Sequence, residues 1–277
     1  MSSEDVAMNA KNQRQAPKGL ANSVEPFGFF RNIEKHFDIG NNERITAIDG
    51  LSLDLNRGEF ISLLGPSGCG KTTFLRIVAG LERASAGEVK LDGKLITGPH
   101  PDFAFVFQQP NLMPWRTVLD NVLFPLEIRG EKTHQGVERA KELLNLVGLA
   151  GFEKRYPAEL SGGMQQRAAL CRALVYDAKL LLMDEPFGAL DELKRMEMHD
   201  LLLSIRERTG VSVLFVTHSI SEAIYLADRV AVFSRRPATI RQCIDINLPY
   251  PRNNEMRYSA VFTEYEHGAS RLLGIVR

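Results

Sequence analysis

Residues Gly65-Pro66-Ser67-Gly68-Cys69-Gly70-Lys71-Thr72 fit the pattern G-x-x-x-x-G-K-[ST]. Its glycines let successive backbone N–H groups turn inward around phosphate oxygens with no side chain in the way. Lys71 adds a mobile point charge for β- and γ-phosphates, and the Thr72 hydroxyl is a hard oxygen ligand suited to Mg2+. A second chemical element is Asp184-Glu185, which closes the apolar run Leu180-Leu181-Leu182-Met183. An acidic pair at the carboxyl end of a buried strand lies where open α/β sheets receive ligands. There Asp184 would hold Mg2+ and Glu185 would polarise an attacking water. On their own, two solvated carboxylates at a strand end would read the same way. The glycine loop upstream favours nucleotide hydrolysis.

Such residues need a scaffold, and the flanking sequence supplies one. FISLLG (60–65) is a short, mostly apolar run rich in β-formers, as in a strand buried on both faces. KTTFLRIVAGLE (71–82) has helical spacing that places Phe74, Ile77, Val78 and Leu81 on one side. A strand, a glycine loop and a helix therefore arrive in order, and the helix adds the positive end of its dipole to the loop. Upstream, an aromatic cluster begins at Phe27, and ITAIDGLSLDL (45–55) alternates with the period of a half-buried strand. It stops at the turn Asn56-Arg57-Gly58.

The stretch from Gln108 to Arg155 changes character, with amphipathic helices over TVLDNVLFPLEIRG (117–130) and over GVERAKELLNLVGL, the latter ending at Gly148. From Ser161 the pattern alternates. A helix (MQQRAALCRALVYDA), a strand (KLLLMDEP) and a long helix around LKRMEMHDLLLSIRERTG precede a strand (VSVLFVTHS), a helix (ISEAIYLAD) and a strand (RVAVFS). Alternation of this kind predicts a parallel sheet covered on both faces, with the helical stretch inserted beside it. After Arg236 a strand, a Pro-rich turn and a terminal helix are expected.

Composition narrows the partners. The 277 residues carry 34 Lys and Arg against 34 Asp and Glu, so the zero net charge argues against a polybasic nucleic-acid binder. A hydrophobic fraction of 44% excludes a disordered chain. Cys69, Cys171 and Cys243 are odd in number and scattered, which fits reduced thiols rather than a disulfide framework. No stretch reaches the roughly 18 uninterrupted apolar residues of a membrane span. Residues 1–26 are polar, lack a secretory apolar core and read as a flexible tail.

One string goes further. Leu160-Ser161-Gly162-Gly163-Met164-Gln165-Gln166-Arg167 resembles the signature of the nucleotide-binding subunits of ABC transporters, LSGGQ followed by QR, with Met164 in place of Gln. From the residues alone, Ser161 is a good N-cap and the two glycines expose N–H groups at a helix start. An ordinary Ser-capped helix would serve equally. Other positions resemble family motifs in the same order. Phe37 is similar to the aromatic that stacks on adenine, though a core aromatic would also fit. Gln108 resembles the glutamine that reaches Mg2+ and the water, and Asp191 matches the D-loop. His218 resembles the switch histidine at the γ-phosphate, whereas a lone His after an apolar strand is more often structural.

The resemblance covers roughly residues 30–235. It implies an α/β P-loop cassette with a parallel-sheet core, an N-terminal antiparallel β portion and a helical subdomain near 110–160. The cassette would occupy 27–236, followed by a short C-terminal extension over 237–277. ATP and Mg2+ are the implied ligands. ATP would contact Phe37, residues Gly65 through Thr72, Thr73, Ser161, Gly162, Gly163 and Asp191. Mg2+ would meet Thr72, Gln108 and Asp184, and catalysis would fall to Glu185, His218 and Gln108. In the implied ATP-bound homodimer, the glycine loop of one chain and Ser161 of the other sandwich one nucleotide. Separate transmembrane permease subunits and a periplasmic or extracellular solute-binding protein would complete an importer, with this chain peripheral on the cytoplasmic side. No nucleic-acid partner is expected.

The segment Asn111 to Val122, containing Leu112-Met113-Pro114-Trp115, is similar to the nitrate, sulfonate and taurine importer group. The short tail with Leu248-Pro249-Tyr250-Pro251-Arg252 agrees with that group. A small oxyanion or sulfonate is the leading solute, and a pyrimidine-type vitamin precursor is the alternative. Trp115, the single tryptophan, reads either as a core anchor or, by the resemblance, as part of the surface that receives the membrane subunit. A GTPase would need an N-K-x-D element, which is absent. A small-molecule kinase would lack the LSGGM string. A non-transport ABC ATPase would carry a long coiled-coil insertion or a second cassette.

Overall fold

Two sheets, one antiparallel and one mainly parallel, border the loop at 65–70. The structure, a computed structural model, describes residues 26–40 and 43–276; the expected tail, apart from Pro26, lies outside the described residues. The chain opens with β1 (Gly28–Asp38) and β2 (Arg44–Leu55), passes through β3 (Phe60–Leu64) and α1 (Lys71–Val78), then adds β4 (Ala86–Leu91) and β5 (Lys94–Leu95). Strands β2-β1-β4-β5 form an antiparallel sheet in that order, with Gly28 opposite Leu55 and Phe37 opposite Ile45. Period-two alternation buries Leu51, Leu53 and Leu55 of β2 and turns Ser52 to solvent.

After β6 (Phe103–Val106) come α2 (Val118–Ile128), α3 (His134–Leu146) and α4 (Gly162–Leu174). Then β7 (Leu180–Asp184), α5 (Glu192–Thr209), β8 (Ser212–Thr217), α6 (Ile220–Leu226) and β9 (Arg229–Phe233) complete the alternation. Strand β10 (Ile240–Asp245) and helix α7 (Ala260–Leu273) follow, so the end of the chain takes the expected strand, Pro-containing turn and helix. The second sheet has the order β10-β9-β3-β8-β7-β6, parallel throughout except for the β10–β9 edge pair.

Strands β3, β7 and β8 are buried at every residue, which is why their sequences read as continuous apolar runs. Alternate residues serve opposite faces. Phe60, Met183 and Phe215 meet Leu170, Met198, Leu202, Ile224 and Phe262 on one side. Ile61, Leu182 and Val216 meet Phe74, Leu75 and Val78 of α1 and Ile33 and Leu55 of the antiparallel sheet on the other. Helix α4 works both ways. Its Leu170 and Leu174 join the sheet core, while Ala168 and Cys171 join Val118, Val122, Ala140 and Leu144 in a third cluster. The helical subdomain is thus bolted to the sheet through α4, and α7 with β10 extends the same sheet and core.

One local expectation needs correction, and one stretch escapes the sequence pattern. Helix α1 stops at Val78 because the chain turns at Gly80, φ +70°, so Leu81 leaves the buried stripe and is 50% exposed. Nothing in the sequence marks the strands over 86–106 (β4, β5 and β6), and of these β6 bears on the site. The four residues of β6 stand between Pro101-Asp102 and the polar Gln108-Gln109, too short for any period to register.

Candidate active site

The loop between β3 and α1 is shaped by close contacts. A Cβ on Gly65 would lie 2.9 Å from Phe233 Cβ of β9, so only glycine lets the strand end pass there. Gly70 has φ +124° and would place a Cβ 3.0 Å from Ala47 O of β2. Helices α2 to α7 begin at the side-chain caps Thr117, Thr133, Ser161, Asp191, Ser219 and Ser259. Helix α1 has no side-chain cap. Its first-turn N–H groups therefore point into the loop as donors for an anion. Lys71 is 3% exposed, and its Nζ donates to Gly65 O at 2.7 Å and Pro66 O at 3.0 Å. A phosphate in the loop offers this ammonium a charged acceptor in place of neutral carbonyls. Ser67 and Gly68 form the exposed tip of the loop, and Cys69 is buried beneath them.

The ends of β7 and β8 complete the cluster. Thr72 Oγ1 donates to Asp184 Oδ1 at 2.7 Å. Burial pushes the Asp184 carboxyl above the usual carboxylate range, opposed by the Thr72 hydrogen bond and by the charges of Arg76 and Lys71. Two hard oxygens side by side, one on a carboxylate short of compensating charge, fit a hard divalent cation. Glu185 leaves the strand in the left-handed region at φ +44°, uncommon for a residue with a side chain, and its N–H donates to Val216 O at 3.1 Å. That turn brings Glu185 Oε2 within 3.0 Å of His218 Nδ1, which donates to it. Lys71, Thr72, Asp184, Glu185 and His218, separated by up to 147 positions, converge on one place.

The other site residues expected from the sequence sit on separate elements: α1, the exit of β6, β1, and the starts of α4 and α5. Thr73 is half-buried on α1. Gln108 is exposed just beyond β6, whose Val106 is in register with Met183, so it leaves the sheet beside the acidic pair without bonding to it. Phe37 is 39% exposed with Lys35 Nζ 4.8 Å from its ring centroid, which removes the core-aromatic reading. Ser161 caps α4 by accepting the Met164 N–H at 3.4 Å, and Gly162 beside it is exposed. A Cβ on Gly163 would lie 3.5 Å from Lys194 Cδ and 3.7 Å from Leu190 Cδ2, so the signature turn adjoins the start of α5. There Asp191 caps the helix, and the Lys194 ammonium at 2.7 Å holds its carboxyl below the usual range. Among the described residues, no hydrogen bond joins Ser161, Gly162, Gly163 or Asp191 to the loop or the acidic pair.

Two structural residues carried no signal of their role. Buried Asn121 accepts the Met113 N–H at 2.7 Å and donates to the carbonyls of Met113, Arg116 and Thr117. Arg172 donates to Pro110 O and Asn111 O, both at 2.7 Å. Together they fix the connector that carries Trp115, which is 74% exposed and therefore no core anchor.

A family profile described as ABC transporter matches residues 48–188, a span that includes the loop, the signature turn and the acidic pair. The chain belongs to the ABC transporter family, among its ATP-binding proteins. This ABC cassette is 47% identical over 246 residues to an uncharacterized ABC transporter ATP-binding protein of Methanocaldococcus jannaschii, covering 89% of this chain and 90% of that protein. It is 42% identical over 229 residues to the aliphatic sulfonates import ATP-binding protein SsuB of Bacillus anthracis, covering 81% of this chain and 90% of SsuB. Among solved structures, the ATP-binding cassette MJ0796, in a dimeric post-hydrolysis state bound to ADP and Pi, superposes with a TM-score of 0.71. That match has 33% identity and covers 80% of this chain and 100% of MJ0796. The fold is that of an ABC-type ATPase cassette, as the signature string implied.

Proposed function

We propose that this ABC cassette hydrolyses ATP to drive a membrane importer for an aliphatic sulfonate or a related small oxyanion. The observation that carries the chemistry is the convergence of the uncapped α1 terminus and Lys71 with the Thr72–Asp184 and Glu185–His218 pairs. The loop N–H groups and Lys71 bind the phosphates, and Phe37 offers an exposed ring for adenine. Thr72 and Asp184, with Gln108 at the exit of β6, would hold Mg2+, which would supply neutralisation of phosphate charge. Glu185 takes the proton of the attacking water, and His218 fixes the orientation of that carboxylate.

Ser161, Gly162 and Asp191 are exposed and Gly163 is half-buried beside them, which supports their use on a nucleotide held by a second copy in an ATP-bound homodimer. The dimeric, ADP- and Pi-bound state of MJ0796 supports a nucleotide-linked pair of cassettes. Likeness to SsuB, an aliphatic sulfonates import ATP-binding protein, supports a sulfonate as solute and a membrane permease as partner; a separate solute-binding protein and a place at the cytoplasmic face complete the proposal.

A bacterial strain lacking its own sulfonate-import ATPase tests the reading. Supplied with this chain, its permease and its binding protein, the strain should regain growth on an aliphatic sulfonate as sole sulfur source. The Glu185→Gln variant should not restore it. Equal growth with the variant would overturn ATP-driven import.

A further inference from the structure

The position of His218 is fixed from behind by a buried chain of hydrogen bonds. Thr217, which precedes it, donates from Oγ1 to Glu222 Oε2 and accepts the Ser219 N–H at 2.9 Å. Both neighbours of His218 are thereby tied to one carboxylate. Glu222 lies in the first turn of α6 and is 7% exposed. Its other oxygen, Oε1, accepts from His199 Nε2 at 2.8 Å. His199, on α5, is 2% exposed, and its Nδ1 stands 2.9 Å from Arg257 Nη2.

A guanidinium has donors only, so His199 Nδ1 must accept and the ring proton sits on Nε2, aimed at Glu222. Arg257 thus selects the tautomer that Glu222 requires. Arg257 itself belongs to a 3-10 turn, Asn254–Tyr258, in the C-terminal segment. It is held there by Asn254 Oδ1 at 3.1 Å and Ser221 Oγ at 3.0 Å, and it lies 3.8 Å over the Tyr225 ring. The His199 ring also meets Phe187 edge-on at 5.7 Å, two residues beyond Glu185. One imidazole therefore backs both turns that present the Glu185–His218 pair.

We propose that Arg257 and His199 are positioning residues for hydrolysis, through which the C-terminal segment sets the pose of His218 against Glu185. The effect passes through Glu222 and Thr217 and leaves Lys71, Thr72 and the α1 terminus untouched. Buried networks of this kind hold one geometry only while every member is satisfied. The inference rests on the roles given above to Glu185 and His218.

Steady-state ATPase kinetics on the full chain, with melting temperatures in parallel, test it. Arg257→Met and His199→Leu should lower kcat by about 10- to 100-fold, the range for a small misplacement of catalytic groups. KM for ATP should stay within about twofold, because Lys71, Thr72 and the α1 terminus are untouched. His199→Gln should restore turnover, since a carboxamide offers the same donor and acceptor pair as the ring. Combining Arg257→Met with His218→Ala should be no slower than His218→Ala alone, since both act through one group. A kcat within about twofold of wild type in Arg257→Met overturns the proposal, as does His199→Gln falling as far as His199→Leu. Arg257→Met, half-buried and outside the α-helices, decides the matter alone where His199→Leu fails to fold. Full turnover in His218→Ala would remove the catalytic reading and the proposal together. A slow His218→Ala beside a fast Arg257→Met overturns the proposal alone.

Discussion

His218 Nδ1 lies 3.0 Å from Glu185 Oε2, and Glu185 reaches it from a left-handed turn at φ +44° directly after the buried strand β7. The two residues leave adjacent parallel strands, with Asp184 in register with Val216. Strand ends, rather than free loops, therefore set their separation. One residue earlier, Asp184 accepts from Thr72 Oγ1 of α1. The groups proposed to bind Mg2+ and to activate water thus meet at the ends of two neighbouring strands and the start of α1.

Glu185→Gln keeps the size of the side chain and its bond to His218 but removes its basicity. Hydrolysis should fall by roughly 10²–10⁴-fold, the usual effect of losing a general base. ATP affinity should persist, because Lys71 and the α1 terminus are unaffected. Phosphate release and nucleotide binding, measured on the same preparation, check both halves. Near-normal turnover would take Glu185 out of its role.

The Thr72–Asp184 pair predicts a metal dependence. Thr72→Val is close to isosteric, yet it removes one hard oxygen and the hydrogen bond that opposes the burial-raised pKa of Asp184. The Mg2+ concentration for half-maximal ATPase should rise at least about tenfold, as when groups that support a metal site are lost. An unchanged Mg2+ titration would exclude Thr72 as a ligand.

The elements nearest the chemistry were the most legible in the sequence. FISLLG, the glycine loop and KTTFLRIV announce a strand, an anion loop and a helix because each has its own local signal. Strand β1 was hidden by its charges: Arg31 and Lys35 interrupt the apolar alternation and spend themselves on Asp54 and Glu82. Asn121 reads as a polar helix residue, and only the folded connector shows four backbone groups gathered on it. His199 and Glu222 are 23 residues apart and meet because α5 and α6 cover one face of the sheet. Contacts of that kind leave no spacing to find.

Ser161 tests the assembly. Its hydroxyl caps α4, so its loss should lower stability by about 1 kcal/mol, typical of a removed cap. In a Glu185→Gln background with Mg-ATP, size exclusion should show a stable dimer. Adding Ser161→Arg should abolish it, because a bulky side chain would crowd the exposed helix start where the second copy's nucleotide is proposed to dock. A dimer that survives Ser161→Arg would sink the composite-site reading.

Trp115 and Asn121 occupy one connector and should fail in opposite ways. Trp115 is 74% exposed, so truncating it removes little from the core, and Trp115→Ala should leave ATPase activity and melting temperature nearly unchanged. Asn121 is fully buried and satisfies the backbone of Met113, Arg116 and Thr117. Asn121→Ala leaves those groups without their partner, at about 1–3 kcal/mol for a buried polar group, and should lower the melting temperature by several degrees. If the connector receives the membrane subunit, an exposed aromatic held on a rigid turn is the expected anchor, worth about 2 kcal/mol or more at the contact. In the assembled importer, Trp115→Ala should then hydrolyse ATP while transport falls. Full transport by Trp115→Ala in reconstituted vesicles would place the permease contact elsewhere.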